Sequence, residues 1–203
     1  MPLLLSKSIS DHSAYAVWNI QETNEALAEM LAEQAPQHMH TVKAAEWMVG
    51  RILIRHLCNQ YDIPYEGMEN LETGKPILRN KKAEISISHS FPMAAAMISL
   101  KDPCGIDLER PRHKMIQVRD KFVNGSEVRY GDDLRKLCAI WCAKEVLYKI
   151  YSRKKLSLKD DTYIKFLSDF DLTGTINKPN NGSPKNYKIS VEEVKDYLLA
   201  YNS

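Results

Sequence analysis

Two long amphipathic stretches set what this chain can fold into. Between Val42 and Tyr61, the residues Ala45, Met48, Val49, Ile52, Leu53 and Leu57 recur at a 3.6-residue period, and Pro64 closes the run. Asp132 to Tyr151 forms a second helix of similar length, with Asp132 or Asp133 near its start, where the helix dipole favours anions. An apolar stripe has to be covered by another layer. The segments around each helix read as strands. Around the first lie residues 2–9, 14–20, 84–88 and 94–100, the last two separated by a His89-Ser90-Phe91-Pro92 break. A short helix from Glu22 to Gln34, capped by Thr23 or Asn24, and a Gly74-Lys75-Pro76 turn within Leu71–Leu78 complete that half. Around the second helix, residues 105–109, 156–166 and 171–176 are predicted extended, with a short helix from Gln117 to Val123. Tyr187 to Tyr201 is read as two strands with a turn near Lys195-Asp196, although helical propensity would also accept Val191-Glu-Glu-Val-Lys-Asp. The expectation is an α+β chain of two similar lobes, residues 1–102 and 103–203.

A chain of 203 residues is long enough for two lobes of about 100 residues each. Its 44% hydrophobic content supplies a core for each. The net charge of +2 gives no bulk attraction to nucleic acid or to a membrane, so any anion site has to come from local clusters. No apolar run reaches the roughly 18–20 residues of a membrane span. Met1-Pro-Leu-Leu-Leu is too short for a signal-peptide core and lacks a basic leader, so it reads as the start of a strand. Cys58, Cys104, Cys138 and Cys142 make no C-x-x-C pair and no finger spacing. Cys138 and Cys142 share a helical face, but buried reduced thiols in the cytoplasm are the simpler expectation. The run Asn177–Asn186 marks a loop.

Three short segments carry groups suited to phosphate chemistry. In Gly105-Ile106-Asp107-Leu108-Glu109, strand alternation projects Asp107 and Glu109 together while Ile106 and Leu108 face the core. Two carboxylates on one face fit either a solvated strand face or a divalent cation with hard oxygen ligands, such as Mg²⁺. In Trp141-Cys142-Ala143-Lys144-Glu145-Val146-Leu147-Tyr148-Lys149, residues Trp141, Glu145 and Lys149 line one helical face. Glu145 is a candidate third carboxylate and Lys149 a candidate phosphate contact; an ordinary Glu–Lys helix pair is the plain alternative. Ile85-Ser86-Ile87-Ser88-His89-Ser90 ends a strand in hydroxyls and one imidazole, a combination that binds phosphate in some proteins and is structural in more.

Taken together, Ser88-His89-Ser90, then Gly105-Ile106-Asp107-Leu108-Glu109, then Trp141-x-x-Lys144-Glu145-x-x-x-Lys149 resemble the signature of the 4'-phosphopantetheinyl transferase superfamily in order and spacing. Gly50-Arg51 and Gly74-Lys75-Pro76 add to the resemblance, which covers about residues 40 to 160. Length and layout resemble the larger, surfactin-synthetase-type branch, a pseudo-dimer in one chain. The resemblance implies two α+β lobes, each a small antiparallel sheet on a long helix, with the active site in the cleft between them. It implies that Asp107, Glu109 and Glu145 bind Mg²⁺, with Mn²⁺ left open, and that coenzyme A is a substrate. Lys149 would contact its pyrophosphate, Ser88 and His89 its phosphates, and Lys75 its nucleotide end; Arg51 and Lys43 are candidates for the 3'-phosphate. Asp107, Glu145 and Lys149 would be the catalytic groups. The second substrate would be an apo acyl carrier protein or carrier domain. The chain would work as a cytoplasmic monomer, with no nucleic acid or membrane partner. Where the family often has Gly-Lys-Gly, this chain has Ser152-Arg153-Lys154-Lys155-Leu156-Ser157. Arg110, Arg112, His113, Lys114, Arg119 and Lys121 form a basic run that suits docking of an acidic carrier, or a solvated face. A non-catalytic coenzyme A or carrier-binding protein of the same fold is the alternative. An unrelated Mg²⁺-dependent phosphohydrolase or nucleotidyl transferase is a further one.

Overall fold

In the computed structural model, the structure describes residues 3–152, 156–178 and 183–203. Residue 2 of the predicted first strand, Arg153-Lys154-Lys155 and the centre of the loop within Asn177–Asn186 lie outside the described residues. The chain divides into two compact units, Met1–Cys104 and Gly105–Ser203.

In the first unit, β1 (Leu3–Ser10), β2 (Ser13–Asn19), β5 (Glu84–Ser90) and β6 (Met93–Ser99) form an antiparallel sheet of order β1-β2-β6-β5. α1 (Asn24–Leu31) packs on α2 (Thr41–Gln60), which lies across the sheet. β3 (Met68–Asn70) and β4 (Pro76–Leu78) make a separate hairpin around the predicted Gly74-Lys75-Pro76 turn. The α2 stripe predicted from the sequence is the buried one: Ala45, Met48, Val49, Leu53 and Leu57 join Ala14, Ala16, Ile85, Ala94, Ala96 and Ile98 from the sheet. Small alanines on β2 and β6 leave room for the larger side chains of the helix. Thr23 caps α1 by accepting from the Ala26 N–H. The helix stops at Leu31, short of the predicted Gln34, because Ala32 turns into the left-handed region at φ 60°.

In the second unit, β7 (Ile106–Glu109), β8 (Thr162–Phe166), β9 (Asp171–Ile176), β10 (Lys185–Val194) and β11 (Tyr197–Asn202) form an antiparallel sheet of order β7-β11-β10-β9-β8. α3 is Lys114–Val118, and α4 is Leu134–Tyr151. Asp133 caps α4 by accepting from the Arg135 and Lys136 N–H groups at 3.0 Å each. The two C-terminal strands turn at Lys195-Asp196 as expected, since Val194 pairs with Tyr197. α4 packs on the sheet through Leu137, Ala143, Val146 and Leu147, against Leu172, Ile189, Leu198 and Ala200.

Two local expectations are corrected, both by one buried ion pair. Lys144 and Glu127 are fully buried, with the ammonium 2.8 Å from Glu127 Oε2. Lys144 Nζ also donates to the carbonyls of Phe122, Leu158 and Thr162 at 2.7, 2.8 and 3.0 Å. Glu127 accepts from the N–H groups of Asn124 and Ile164. Residues 157–161, predicted extended, instead turn so that Leu158 and Thr162 can both offer carbonyls to Lys144, and the strand begins only at Thr162. The helix predicted over Gln117–Val123 lies earlier, at Lys114–Val118, followed by a 3₁₀ turn at Arg119–Lys121. Phe122 and Val123 are drawn into the core there instead of continuing the helix.

A buried charge left without its partner is costly. Glu127→Ala is therefore expected to lower the urea unfolding free energy by about 3–5 kcal/mol. The double replacement Glu127→Leu with Lys144→Met should recover most of that loss. A single-variant loss within the noise of a surface substitution would show that the pair does not hold this unit together.

Candidate functional site

β7 is an edge strand, paired only with β11 among the described strands. Asp107 is opposite Ala200 and Glu109 opposite Leu198. Ala200 and Leu198 belong to the core that α4 covers, and residues directly opposite share a face. The two carboxylates therefore face the helix. Ile106 and Leu108 are fully buried, but on the other face, so the sequence-based orientation is corrected. Over this edge strand α4 presents a polar group, Lys149, to Asp107.

The approach is close because of Gly105. Its N–H donates to Asn202 Oδ1 at 2.7 Å, pinning the start of β7 to the end of β11. A Cβ at Gly105 would lie 2.6 Å from the Val146 carbonyl oxygen of α4, well inside contact distance. With the backbones this near, Lys149, one turn after Glu145, reaches the strand. Its Nζ donates to the Ile106 carbonyl at 2.6 Å and to Asp107 Oδ1 at 2.8 Å. Asp107 is only 5% exposed, so the solvated-strand alternative does not hold for it. Trp141, one turn before Glu145, packs edge-on against Phe122 at 5.1 Å between ring centroids.

Electrostatics mark the same spot. Burial pushes the Glu145 carboxyl up to about 7; the charges of Asp107 and Glu109 push the same way, against Lys149. A carboxylate perturbed this far by burial and like charges is a functional-site signal. Among the described residues, no group of three or more His, Cys, Asp or Glu side chains forms a ready-made metal cage. The donor set nevertheless fits a hard divalent cation: three carboxylates near enough to repel one another, with the Lys149 ammonium as countercharge to Asp107.

The family model of the 4'-phosphopantetheinyl transferase superfamily matches residues 103–202. Those residues form a domain of that superfamily. The match takes in β7, α4 and the whole of the second sheet. No curated protein matches the chain.

The other residues that the superfamily signature brings forward lie in the first unit. Ser88 and His89 are neighbours on β5, so they point to opposite faces. His89 is opposite Ala94 and lies on the α2 side with Ile85 and Ile87, whereas Ser88 is buried on the other face with Ser86 and Ser90. The predicted hydroxyl–imidazole cluster is thus split by the pleat. Lys75 Nζ is 2.5 Å from Glu84 Oε2. Arg51 lies over the Trp47 ring, 3.4 Å from its centroid. It lines a cleft of about 340 Å³ with Tyr65, Gly67 and Arg79. Burial lowers the pKa of its guanidinium. Within the basic run, Arg110 pairs with Asp196 and Arg119 with Asp132. The four cysteines are buried free thiols; burial raises Cys58, Cys104 and Cys142, with Cys138 adding to the rise at Cys142. No helix among the described residues is long and apolar enough to cross a membrane.

Two residues escaped the sequence reading. Glu127 lies outside the quoted motifs, and nothing local marks it. Glu46 did leave a signal: it falls on the apolar stripe of α2, between Ala45 and Met48, where a carboxylate needs partners.

The raised Glu145 carboxyl makes stability depend on pH. Between its ordinary value of 4.5 and about 7, the folded chain holds a proton there that the unfolded chain has released. This group's contribution to stability therefore rises as pH falls from 8 to 5.5. With EDTA present, the wild type should gain stability over that interval relative to Glu145→Gln, as read from urea midpoints. Parallel pH profiles for the two proteins would contradict the assignment.

Proposed function

We propose that this chain transfers the 4'-phosphopantetheine group of coenzyme A to a serine of an apo acyl or peptidyl carrier protein, releasing 3',5'-adenosine diphosphate. The observation that carries this is the meeting of Asp107, Glu145 and Lys149 at one strand edge inside the superfamily domain. The residues present fit Mg²⁺ held by Asp107, Glu109 and Glu145, with Mn²⁺ as the other candidate. Bound there, the cation supplies charge neutralisation at the coenzyme A pyrophosphate.

The chain's own residues do the rest. Lys149 is anchored by the Ile106 carbonyl, which leaves its ammonium free to exchange Asp107 for a pyrophosphate oxygen. Lys75, Ser88 and His89 are assigned to the coenzyme A phosphates and nucleotide end on the family resemblance, and Arg51 to the 3'-phosphate. The carrier serine oxygen attacks the β-phosphorus, and the bond from that phosphorus to the bridging oxygen breaks. Glu145 is the candidate acceptor of the serine proton, because its environment raises its basicity. Positioning and charge stabilisation carry most of the rate. An acidic carrier would dock through the basic run, where Arg112, His113, Lys114 and Lys121 remain after Arg110 and Arg119 are paired within the chain. In the surfactin-synthetase-type reading, the enzyme is a cytoplasmic monomer.

The test is the intact mass of an apo carrier protein incubated with this chain, coenzyme A and Mg²⁺, with and without EDTA. The expected result is a gain of one phosphopantetheine, abolished by EDTA. Asp107→Asn and Glu145→Gln are each expected to slow transfer by about 100-fold or more. A folded sample that binds coenzyme A but modifies no carrier type would favour the non-catalytic binding alternative.

A further inference from the structure

Glu46 is a buried carboxylate that the functional assignments above do not use. It is 5% exposed, and its Oε2 accepts from Lys43 Nζ at 2.7 Å. The same oxygen lies 3.4 Å from Nδ1 of His89. A carboxylate on the buried stripe of a helix has to be compensated by positive or donor groups, and here both come from the end of β5 and the first turns of α2. The local geometry is set one turn further on. At Gly50, a Cβ would stand 3.3 Å from Ile87 of β5, so helix and strand approach closely. Glu46 precedes Gly50 by four residues and His89 follows Ile87 by two, so each shares the facing side with its neighbour. The close contact at Gly50 therefore brings Glu46 to His89.

We infer that Glu46 is a positioning residue for phosphate binding: it holds the His89 ring by Nδ1 and gathers Lys43 beside it, so that two donors converge on one anionic group of the substrate. With Nδ1–H directed to Glu46, Nε2 is the ring nitrogen left for a ligand, and the side chain of His89 is 41% exposed. A protonated imidazole then donates through Nδ1 to Glu46 and through Nε2 to a phosphate oxygen. Lys43, 62% exposed, is tethered at one side of the same carboxylate and supplies the second cation. The inference rests on the assignment of His89 to the coenzyme A phosphates.

The experiment is calorimetric coenzyme A binding and steady-state kinetics on Glu46→Gln, His89→Ala and the double variant. Gln is nearly isosteric but carries no charge. Glu46→Gln should weaken coenzyme A binding and raise its KM about tenfold, a loss typical of a charged hydrogen bond, while kcat holds. The losses of the two single variants should sum to more than the loss of the double variant, since the part of the Glu46 effect that acts through His89 is already gone in His89→Ala, leaving only the part through Lys43. Wild-type affinity and KM in Glu46→Gln, with His89→Ala impaired, would overturn the positioning role alone. If His89→Ala itself bound coenzyme A normally, the assignment of His89 would fail and the inference with it. Ring nitrogen NMR of the unmodified protein needs no variant: at a pH where His89 is neutral, the proton should reside on Nδ1, and a ring protonated on Nε2 would refute the proposal.

Discussion

The second unit depends on one buried ammonium. Lys144 on α4 is completely enclosed, and it is neutralised by Glu127 and by three carbonyls from segments far apart in sequence. Burial lowers the pKa of this ammonium, and Glu127 pulls it back up. Such a centre tolerates only one arrangement of the chain around it, because each oxygen has to be within hydrogen-bond reach. It fixes the turn at Phe122, the loop at Leu158 and the start of β8 relative to α4. The neighbouring residue on the helix is Glu145. Anchoring Lys144 inward therefore also fixes the rotation of α4 about its axis, and with it the direction in which Glu145 and Lys149 project.

That rotation matters only because the acidic strand is near enough to use it. Gly105 has no side chain to hold β7 away from Val146, and Asn202 ties the strand down. Lys149 then bridges strand and helix through Ile106 and Asp107. The result is a partly dry corner where negative charge is concentrated beside one ammonium. A carboxyl held near neutrality is the electrostatic signature of that corner. The same chemical logic recurs on a smaller scale in the first unit, where Gly50 lets α2 approach β5 and Glu46 meets His89.

The helices and most strands were legible because periodicity reports burial directly. The stripe through Ala45, Met48, Val49 and Leu53 is the core face of α2, and Asp133 was a readable cap. The partnership of Asp107, Glu145 and Lys149 was legible only through the spacing of the motifs. The orientation of β7 was not, because alternation says which residues share a face and not which layer they meet. Ile106 and Leu108 are buried on the face away from α4, so hydrophobicity pointed to the wrong side. The split between Ser88 and His89 was missed because the strand was expected to end at residue 88, whereas β5 continues to Ser90 and its pleat separates them. The turn at 157–161 was hidden for a different reason: it answers to a lysine thirteen or more residues away in sequence, and no local propensity encodes that.

The most direct measurement is the anomalous difference density of crystals grown with coenzyme A and Mn²⁺. A single peak within coordination distance of Asp107, Glu109 and Glu145, with the pyrophosphate against Lys149, is the predicted result. Ordered coenzyme A with no such peak, or with the metal bound elsewhere on the chain, would contradict the assignment of this strand edge as the transferase site.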